Sequence, residues 1–385
     1  MSYKNISIIL LCALILSACA GLPVRGSVGG QTIETRVDSE AAQYYLGSYL
    51  AGKRSDPALD KRIDRIYQGA NGSLPDRSDL KRLSEEFSVD FAALYLADQI
   101  DQSPDNRRFQ RAFAQAYEYA RKAFPNGRLK LPAASQDYEV LVVPIFLYER
   151  LPGSGADLAG PRAALEKVGF SCHFVETDDD GAIEANADLV ANAIRARAQS
   201  GRRLIVISAS KSGAEVALAL TKLGLAETRH VAAWINMVGV LQGTPVVDDP
   251  LFAELEFLVG EIDTDGKESL APKRSQQRFD SFRIPEHVLV VNYFGVPVIG
   301  SISFWGRRGF FSLRKYGPND GVSLLPDMIF PGGVTLTELG SDHFMRSKPF
   351  DITTLALTMT VIRWLKYPDS ELTQIPGAAE EQAGR

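Results

Sequence analysis

Between about residues 136 and 367 the sequence alternates continuous apolar runs with segments of helical periodicity. The apolar runs are rich in valine, isoleucine and leucine, as expected for strands that are buried on both faces. They are YEVLVVPIFLY (138–148), FSCHFVE (170–176), RRLIVIS (202–208), HVAAWINMVGVL (230–241), EHVLVVNYF (286–294) and VTLTEL (334–339). Because alternating strands and helices build βαβ units, the pattern predicts an α/β fold with a mostly parallel sheet flanked by helices.

The residues before this pattern divide into two further regions. From 38 to 130 every signal is helical, and Phe109, Phe113 and Tyr117 form an apolar stripe at helical spacing. We therefore expect an all-helical prefix that packs on the sheet. Residues 19–37 are rich in Gly, Ser and Thr without periodicity and are predicted to be a flexible tether, and 368–385 are predicted to be a disordered tail.

The N-terminus is typical of an exported protein. An apolar run at 6–16 follows a lysine and is too short to span a bilayer, but it has the length of a signal-peptide core. It ends in LSAC, which resembles the lipobox of bacterial lipoproteins. The resemblance implies that residues 1–18 are removed and that acylated Cys19 anchors the chain in the cell envelope. Ala20 implies the outer membrane, facing the periplasm. An ordinary signal peptide with an incidental cysteine is the alternative.

Composition excludes several function classes. The 385 residues include 42 Lys+Arg and 47 Asp+Glu, a net charge of −5, whereas a nucleic-acid-binding domain usually carries a basic surplus. Three cysteines cannot supply a disulfide framework. Cys172 lies in an apolar run and is expected to be an unreactive thiol. No cofactor and no metal is predicted, and the sequence does not indicate an oligomeric state.

The most informative motif is LIVISASKSG at 204–213, where an apolar strand leads directly into a small-x-Ser-x-small turn and a helix. It resembles the nucleophile elbow of α/β-hydrolases, with Ser208 and Ser212 in place of the usual glycines. The resemblance covers about 136–367 and implies that Ser210 is a nucleophile. A serine-rich turn or a phosphate-binding loop is the alternative.

A serine nucleophile requires a base and an acid. His343 follows the last predicted strand and reaches the same sheet edge as Ser210, whereas structural or solvent-facing positions are expected for the other histidines, His173, His230 and His287. The segments around NDGV and DHF are similar to the acid and histidine segments of bacterial lipases and esterases, which implies Asp320 as the acid. Asp248 and Asp249 remain alternatives. Asp342 is expected to shape the histidine loop and Asp327 to be a surface carboxylate.

The resemblance also implies an oxyanion site. One donor would be the Lys211 backbone N–H. The second would come from the string PIF at 144–146, which nominates Ile145 or Phe146. The aromatic loop at 296–311 is interpreted as an acyl pocket, an interfacial lid or core packing.

The predicted function is a lipid-anchored serine hydrolase that cleaves carboxylic esters, with an ester or acyl lipid as substrate. Amidase, thioesterase and acyltransferase activities use the same triad and stay open. The alternative from another class is a catalytically silent envelope lipoprotein that uses a hydrolase fold as a binding scaffold.

Overall fold

A computed structural model of the chain describes residues 21–69 and 72–367. The predicted signal segment, Cys19 and the predicted tail at 368–385 lie outside the described residues. The expectations for these three segments therefore stay predictions.

The described residues contain eight strands, of which six form one parallel sheet. The strands are β1 (Leu22–Val28), β2 (Gln31–Val37), β3 (Tyr138–Val143), β4 (Ser171–Phe174), β5 (Arg203–Ala209), β6 (Val231–Met237), β7 (Leu289–Val296) and β8 (Val334–Leu339). Strands β3 to β8 pair in the order β4-β3-β5-β6-β7-β8. The predicted α/β fold class is confirmed, and this sheet is consistent with an α/β-hydrolase fold.

Thirteen α-helices surround the sheet in the described part of the chain. They are α1 (Glu40–Gly47), α2 (Pro57–Gly69), α3 (Arg77–Glu86), α4 (Val89–Gln102), α5 (Pro104–Ala123), α6 (Ala159–Lys167), α7 (Ile183–Arg197), α8 (Lys211–Glu227), α9 (Pro250–Val259), α10 (Thr264–Ser269), α11 (Pro272–Ser281), α12 (Arg307–Leu313) and α13 (Phe350–Lys366). The first five form the helical prefix that the sequence predicts at 38–130.

Both faces of the sheet are covered. Successive side chains of a strand point to opposite faces, and in β3 Val140 and Val142 join a core with the prefix helices and α13. Leu141 and Val143 join a second core with α7 and α8. This double burial explains why the strands appear in the sequence as continuous apolar runs.

The segment that the sequence predicts to be a flexible tether is mostly ordered in the structure. It forms an antiparallel hairpin of β1 and β2. Gly29 and Gly30 have φ of 57° and 76° and make the two-residue turn that such a hairpin prefers. Val28 and Val37 are buried against the prefix. Gly26 lies so close to α1 that an added Cβ would be 2.1 Å from the Leu46 carbonyl oxygen. The hairpin therefore depends on tertiary contacts that the composition of 19–37 does not reveal.

The prefix and the hairpin also cover the outer edge of the sheet at β8. Strand β8 is an edge strand, and unpaired edge N–H groups need acceptors. The N–H groups of Thr335, Thr337 and Leu339 donate to the side-chain oxygens of Asn106, Gln110 and Gln31 at 2.8, 3.2 and 3.1 Å. The side chains of two helical residues and one hairpin residue thus accept the hydrogen bonds that a seventh strand would otherwise accept.

A buried ion pair joins the prefix to the sheet domain and corrects the expectation for Asp327. This carboxylate is fully buried and accepts hydrogen bonds from Arg77 of α3, with Nη2 at 2.5 Å from Oδ2. Burial raises the pKa of Asp327 to about 6, although the Arg77 guanidinium opposes the shift. Arg77 also donates to the Gln242 carbonyl oxygen at 3.2 Å.

We expect Arg77→Met to lower the free energy of unfolding by about 3 kcal/mol at pH 8, because an ionised Asp327 would be left buried without its partner. Urea unfolding measures the change. The control is Arg82→Met in the same helix, since Arg82 pairs with a half-exposed Asp79 and such pairs contribute about 0–1 kcal/mol. Equal destabilisation by both variants would contradict the assigned role of Arg77.

Candidate active site

Ser210 occupies a strained turn between β5 and α8. Its φ of 58° and ψ of −126° are rare for a residue with a Cβ, and the surrounding backbone must stabilise them. The Ser210 N–H donates to the Met237 carbonyl oxygen at 3.0 Å, and its own carbonyl oxygen accepts from Val240 N–H at 2.9 Å. Bonds to the end of β6 and to the segment after it therefore hold the turn.

Ser208 and Ser212, which replace the usual glycines, are small and also form hydrogen bonds through their hydroxyl groups. Ser208 Oγ accepts from Trp234 Nε1 at 2.8 Å, and Ser212 Oγ accepts from Ala209 N–H at 3.0 Å. Gly213 is required by close packing, because an added Cβ would lie 2.6 Å from Asn236 Oδ1. Hydroxyl groups can thus replace the expected glycines, whereas position 213 has no room for a side chain.

The structure brings Ser210, His343 and Asp320 into one hydrogen-bonded chain. His343 Nε2 lies 3.0 Å from Ser210 Oγ, and His343 Nδ1 lies 2.7 Å from Asp320 Oδ2. Ser210 follows β5, Asp320 comes after β7, and His343 follows β8. All three lie beyond the carboxyl ends of parallel strands, which meet at one edge of the sheet.

Hydrogen bonds hold the Asp320 carboxylate beside the His343 imidazole. It is fully buried, and Oδ1 accepts from the N–H groups of Val322 and Ser323 at 2.9 and 2.7 Å. The His343 N–H donates to the Asp320 carbonyl oxygen at 2.9 Å, so backbone and side chain connect the two loops. Only Oδ2 is left to face the histidine ring.

Among the bonds of the described residues, none joins the alternative acids Asp248 and Asp249 to His343. Asp248 is exposed, and Asp249 caps α9 by accepting from Leu251 N–H at 2.9 Å. Asp342 accepts from the N–H groups of Ser303 and Phe344 at 2.8 and 3.1 Å, and so shapes the loop beside His343 as expected.

The remaining histidines lie away from Ser210. The partners of His173, His230 and His287 are Glu139 Oε2 at 3.1 Å, Ile194 O at 2.9 Å and Thr228 O at 2.8 Å. All three are partly buried and bonded to the protein, which is one of the two kinds of position expected for them.

The two nominees for the second oxyanion donor differ. Ile145 N–H donates to the Ala156 carbonyl oxygen at 2.8 Å and is therefore occupied. Among the bonds of the described residues, neither Phe146 N–H nor Lys211 N–H donates to a protein acceptor. Lys211 and Phe146 follow the ends of β5 and β3, which are neighbours in the sheet. Their N–H groups are therefore available for an acceptor at this edge of the sheet, whereas the N–H of Ile145 is not.

Sequence reasoning missed the ion pair in the first turns of α8, directly after Ser210. The side chains of Lys211 and Glu215 are only 3% and 2% exposed and form an ion pair one helical turn apart. Asn186 Nδ2 donates to Glu215 Oε1 at 2.9 Å, and Lys211 Nζ lies 5.6 Å from the centre of the Phe146 ring. The i, i+4 spacing of Lys and Glu was the available signal, but such pairs are normally on a helix surface.

The aromatic loop at 296–311 divides into two parts. Phe310 is buried in the middle of α12, as the core interpretation expects. Phe304 and Trp305 are exposed and pack edge to face, with ring centres 5.6 Å apart. An added Cβ on Gly309 would lie 1.9 Å from the Gly321 carbonyl oxygen, so α12 packs directly on the turn that carries Asp320.

Within 21–69 and 72–367, no group of three or more His, Cys, Asp and Glu side chains could hold a metal ion. Burial raises the pKa of Cys172 to about 12, so its thiol stays protonated at neutral pH. No helix in these same ranges has both the length and the apolarity needed to cross a membrane.

No protein-family model matches the sequence, and no curated protein matches it. The structure is similar to that of the metagenomic carboxyl esterase MGS0156, with a TM-score of 0.49 and 18% identity over 62% of this chain and 78% of that chain. It is also similar to that of mature Bacillus licheniformis lipase BlEst2, with a TM-score of 0.45 and 20% identity over 56% of this chain and 88% of that chain. A third similar structure is the RedJ thioesterase of Streptomyces coelicolor, with a TM-score of 0.34 and 14% identity over 60% of this chain and 90% of that chain.

Proposed function

We propose that this chain is a serine hydrolase that cleaves carboxylic esters through an acyl-enzyme. The observation that supports the proposal is the continuous hydrogen-bonded chain from Ser210 Oγ through both nitrogens of His343 to Asp320. A nucleophile, a base and an orienting acid within hydrogen-bond reach are the arrangement that activates a serine hydroxyl.

The proposed reaction has two steps. Ser210 Oγ attacks the ester carbonyl carbon while His343 Nε2 takes the hydroxyl proton, and the proton then passes to the departing alcohol. Water, deprotonated by the same nitrogen, releases the carboxylic acid and restores Ser210. Asp320 holds Nδ1–H and stabilises the imidazolium that forms in each step. The oxyanion is bound by the N–H groups of Lys211 and Phe146, and each such donor contributes about 3–4 kcal/mol to transition-state binding.

The location is proposed from the sequence alone. Acylated Cys19 would anchor the enzyme in the bacterial cell envelope, at the outer membrane and facing the periplasm. Stable membrane attachment needs two signals, for example two acyl chains, and a lipoprotein cysteine carries three acyl chains. Acyl lipids are then the esters nearest to the site, which makes a lipase-like substrate the leading expectation.

The deciding experiment is covalent labelling with a fluorophosphonate. We expect the native chain to be labelled and Ser210→Ala to be unlabelled, because the probe phosphonylates only an activated serine. Ser312→Ala is the matched control, since Ser312 Oγ is bonded to Asp249 rather than to a histidine. An unlabelled native chain would favour the silent binding scaffold. A panel of p-nitrophenyl esters and thioesters of increasing acyl length then identifies the leaving group and the acyl preference.

A further inference from the structure

An unusual surface lies beside the proposed active site. Phe304 and Trp305 are 84% and 60% exposed, and Phe311 and Phe344 are each 41% exposed. We call these four residues the aromatic rim. Phe344 directly follows His343, and Asp342 accepts from the N–H of Ser303, so the rim adjoins the histidine loop. Water contact with this much aromatic surface is unfavourable unless something covers it.

Basic side chains are interspersed with the aromatic rim. Arg307 and Arg346 are exposed, and the Arg346 guanidinium carbon lies 5.7 Å from the centre of the Trp305 ring. Arg308 is also exposed and is paired with Glu254 of α9. Exposed aromatics surrounded by arginines match the chemistry of an anionic bilayer surface, where rings sit at headgroup level and cations bind phosphate.

The start of the described chain lies against the same loop. An added Cβ on Gly21 would be 3.2 Å from Ile299 Cγ2, and Gly300 N–H donates to the Arg36 carbonyl oxygen at 3.0 Å. Cys19 precedes Gly21 by two residues, which span at most about 7 Å of chain. An acyl anchor at Cys19 would therefore enter the bilayer close to the segment that carries Phe304 and Trp305.

We propose that the aromatic rim binds the surface of an anionic phospholipid bilayer, so that the site at Ser210 opens toward the membrane interface. The orientation rests on the proposed anchor at Cys19, whereas contact of the rim with lipid does not depend on the catalytic triad. The inference deepens the proposed function by identifying the esters of membrane lipids as the substrates within reach.

Tryptophan fluorescence tests the proposal because the three tryptophans differ in environment. Trp234 is fully buried and Trp364 is packed on Phe109, whereas Trp305 is exposed. The full chain carrying Ser210→Ala, which prevents lipid hydrolysis, is reconstituted with vesicles of phosphatidylglycerol and phosphatidylcholine. Brominated acyl chains in these vesicles are expected to quench the emission, and Trp305→Phe is expected to abolish at least half of the quenching.

Two further variants separate contact by the rim from attachment by the anchor. Phe304→Ser combined with Arg346→Glu is expected to reduce the quenching of Trp305 at least twofold while the chain stays on the vesicles. The control is Leu225→Ser. Leu225 is 64% exposed near the end of α8, on the side of the sheet where the parallel strands begin rather than where they end. This control is expected to leave the quenching unchanged.

Two results would overturn the proposal. One is Trp305 emission that is identical with brominated and unbrominated lipid. The other is a blue shift that appears on raising the protein concentration without vesicles, which would assign the aromatic rim to a second copy of the chain. Fluorophosphonate labelling of the Ser210 chain is measured separately, so loss of the membrane contact and loss of the proposed activity are distinguishable.

Discussion

The Asp320→Asn variant is expected to hydrolyse p-nitrophenyl esters with a kcat about 10⁴-fold below that of the native chain, as an acid-to-amide change does in a serine triad. The reason lies in the hydrogen bonds of this carboxyl group. Oδ1 accepts two backbone N–H groups, so an asparagine would keep its oxygen there and turn its NH₂ toward His343 Nδ1. Nδ1 would then have to accept, and Nε2 would carry the proton. A protonated Nε2 cannot take the proton of Ser210.

The control is Asp248→Asn, which changes the exposed acid that the sequence leaves as an alternative. Its kcat is expected to stay within about twofold of the native value, since exposed substitutions away from a site have small effects. Circular dichroism of both variants checks that the fold is retained. A native kcat for Asp320→Asn would contradict the assignment of Asp320 as the acid. A large loss of kcat in Asp248→Asn instead would contradict it as well.

Lys211→Met is expected to lower the free energy of unfolding by about 3–5 kcal/mol, because it leaves Glu215 charged and buried. Asn186 remains as a hydrogen-bond partner of Glu215 but carries no charge. The backbone N–H of residue 211 is unaffected, so activity per folded molecule can be measured. We expect kcat to fall about tenfold, since the ammonium contacts the ring of Phe146, whose N–H is the proposed second oxyanion donor.

Urea unfolding and ester hydrolysis measure the two effects of Lys211→Met. The double variant Lys211→Met/Glu215→Leu is expected to regain most of the stability, because apolar residues can replace a buried ion pair. The matched control is Lys81→Met, which removes an i, i+4 partner of Glu85 from an exposed pair and should cost about 0.5 kcal/mol or less. Equal effects of Lys81→Met and Lys211→Met would show that burial of the pair has no special consequence.

The amino-acid sequence by itself was enough to predict the sheet, because strands covered on both faces must be apolar on both faces. The same logic predicted which side chains meet. Ser210, Asp320 and His343 each follow a predicted strand of a parallel sheet, and the carboxyl ends of such strands lie at one edge. With four histidines in the chain, position along the strands was sufficient to exclude three of them as partners of Ser210.

The tertiary structure decided what depends on partners distant in the chain. The hairpin of β1 and β2 has little apolar pattern of its own, and its strands form because Val28 and Val37 are buried against the prefix. Polar residues were the least predictable. Asp327 was expected at the surface and Lys211 only as a backbone donor, yet both are buried and paired. Whether a charged side chain can be buried depends on a partner that supplies the opposite charge, and for Asp327 that partner lies 250 residues away in the chain.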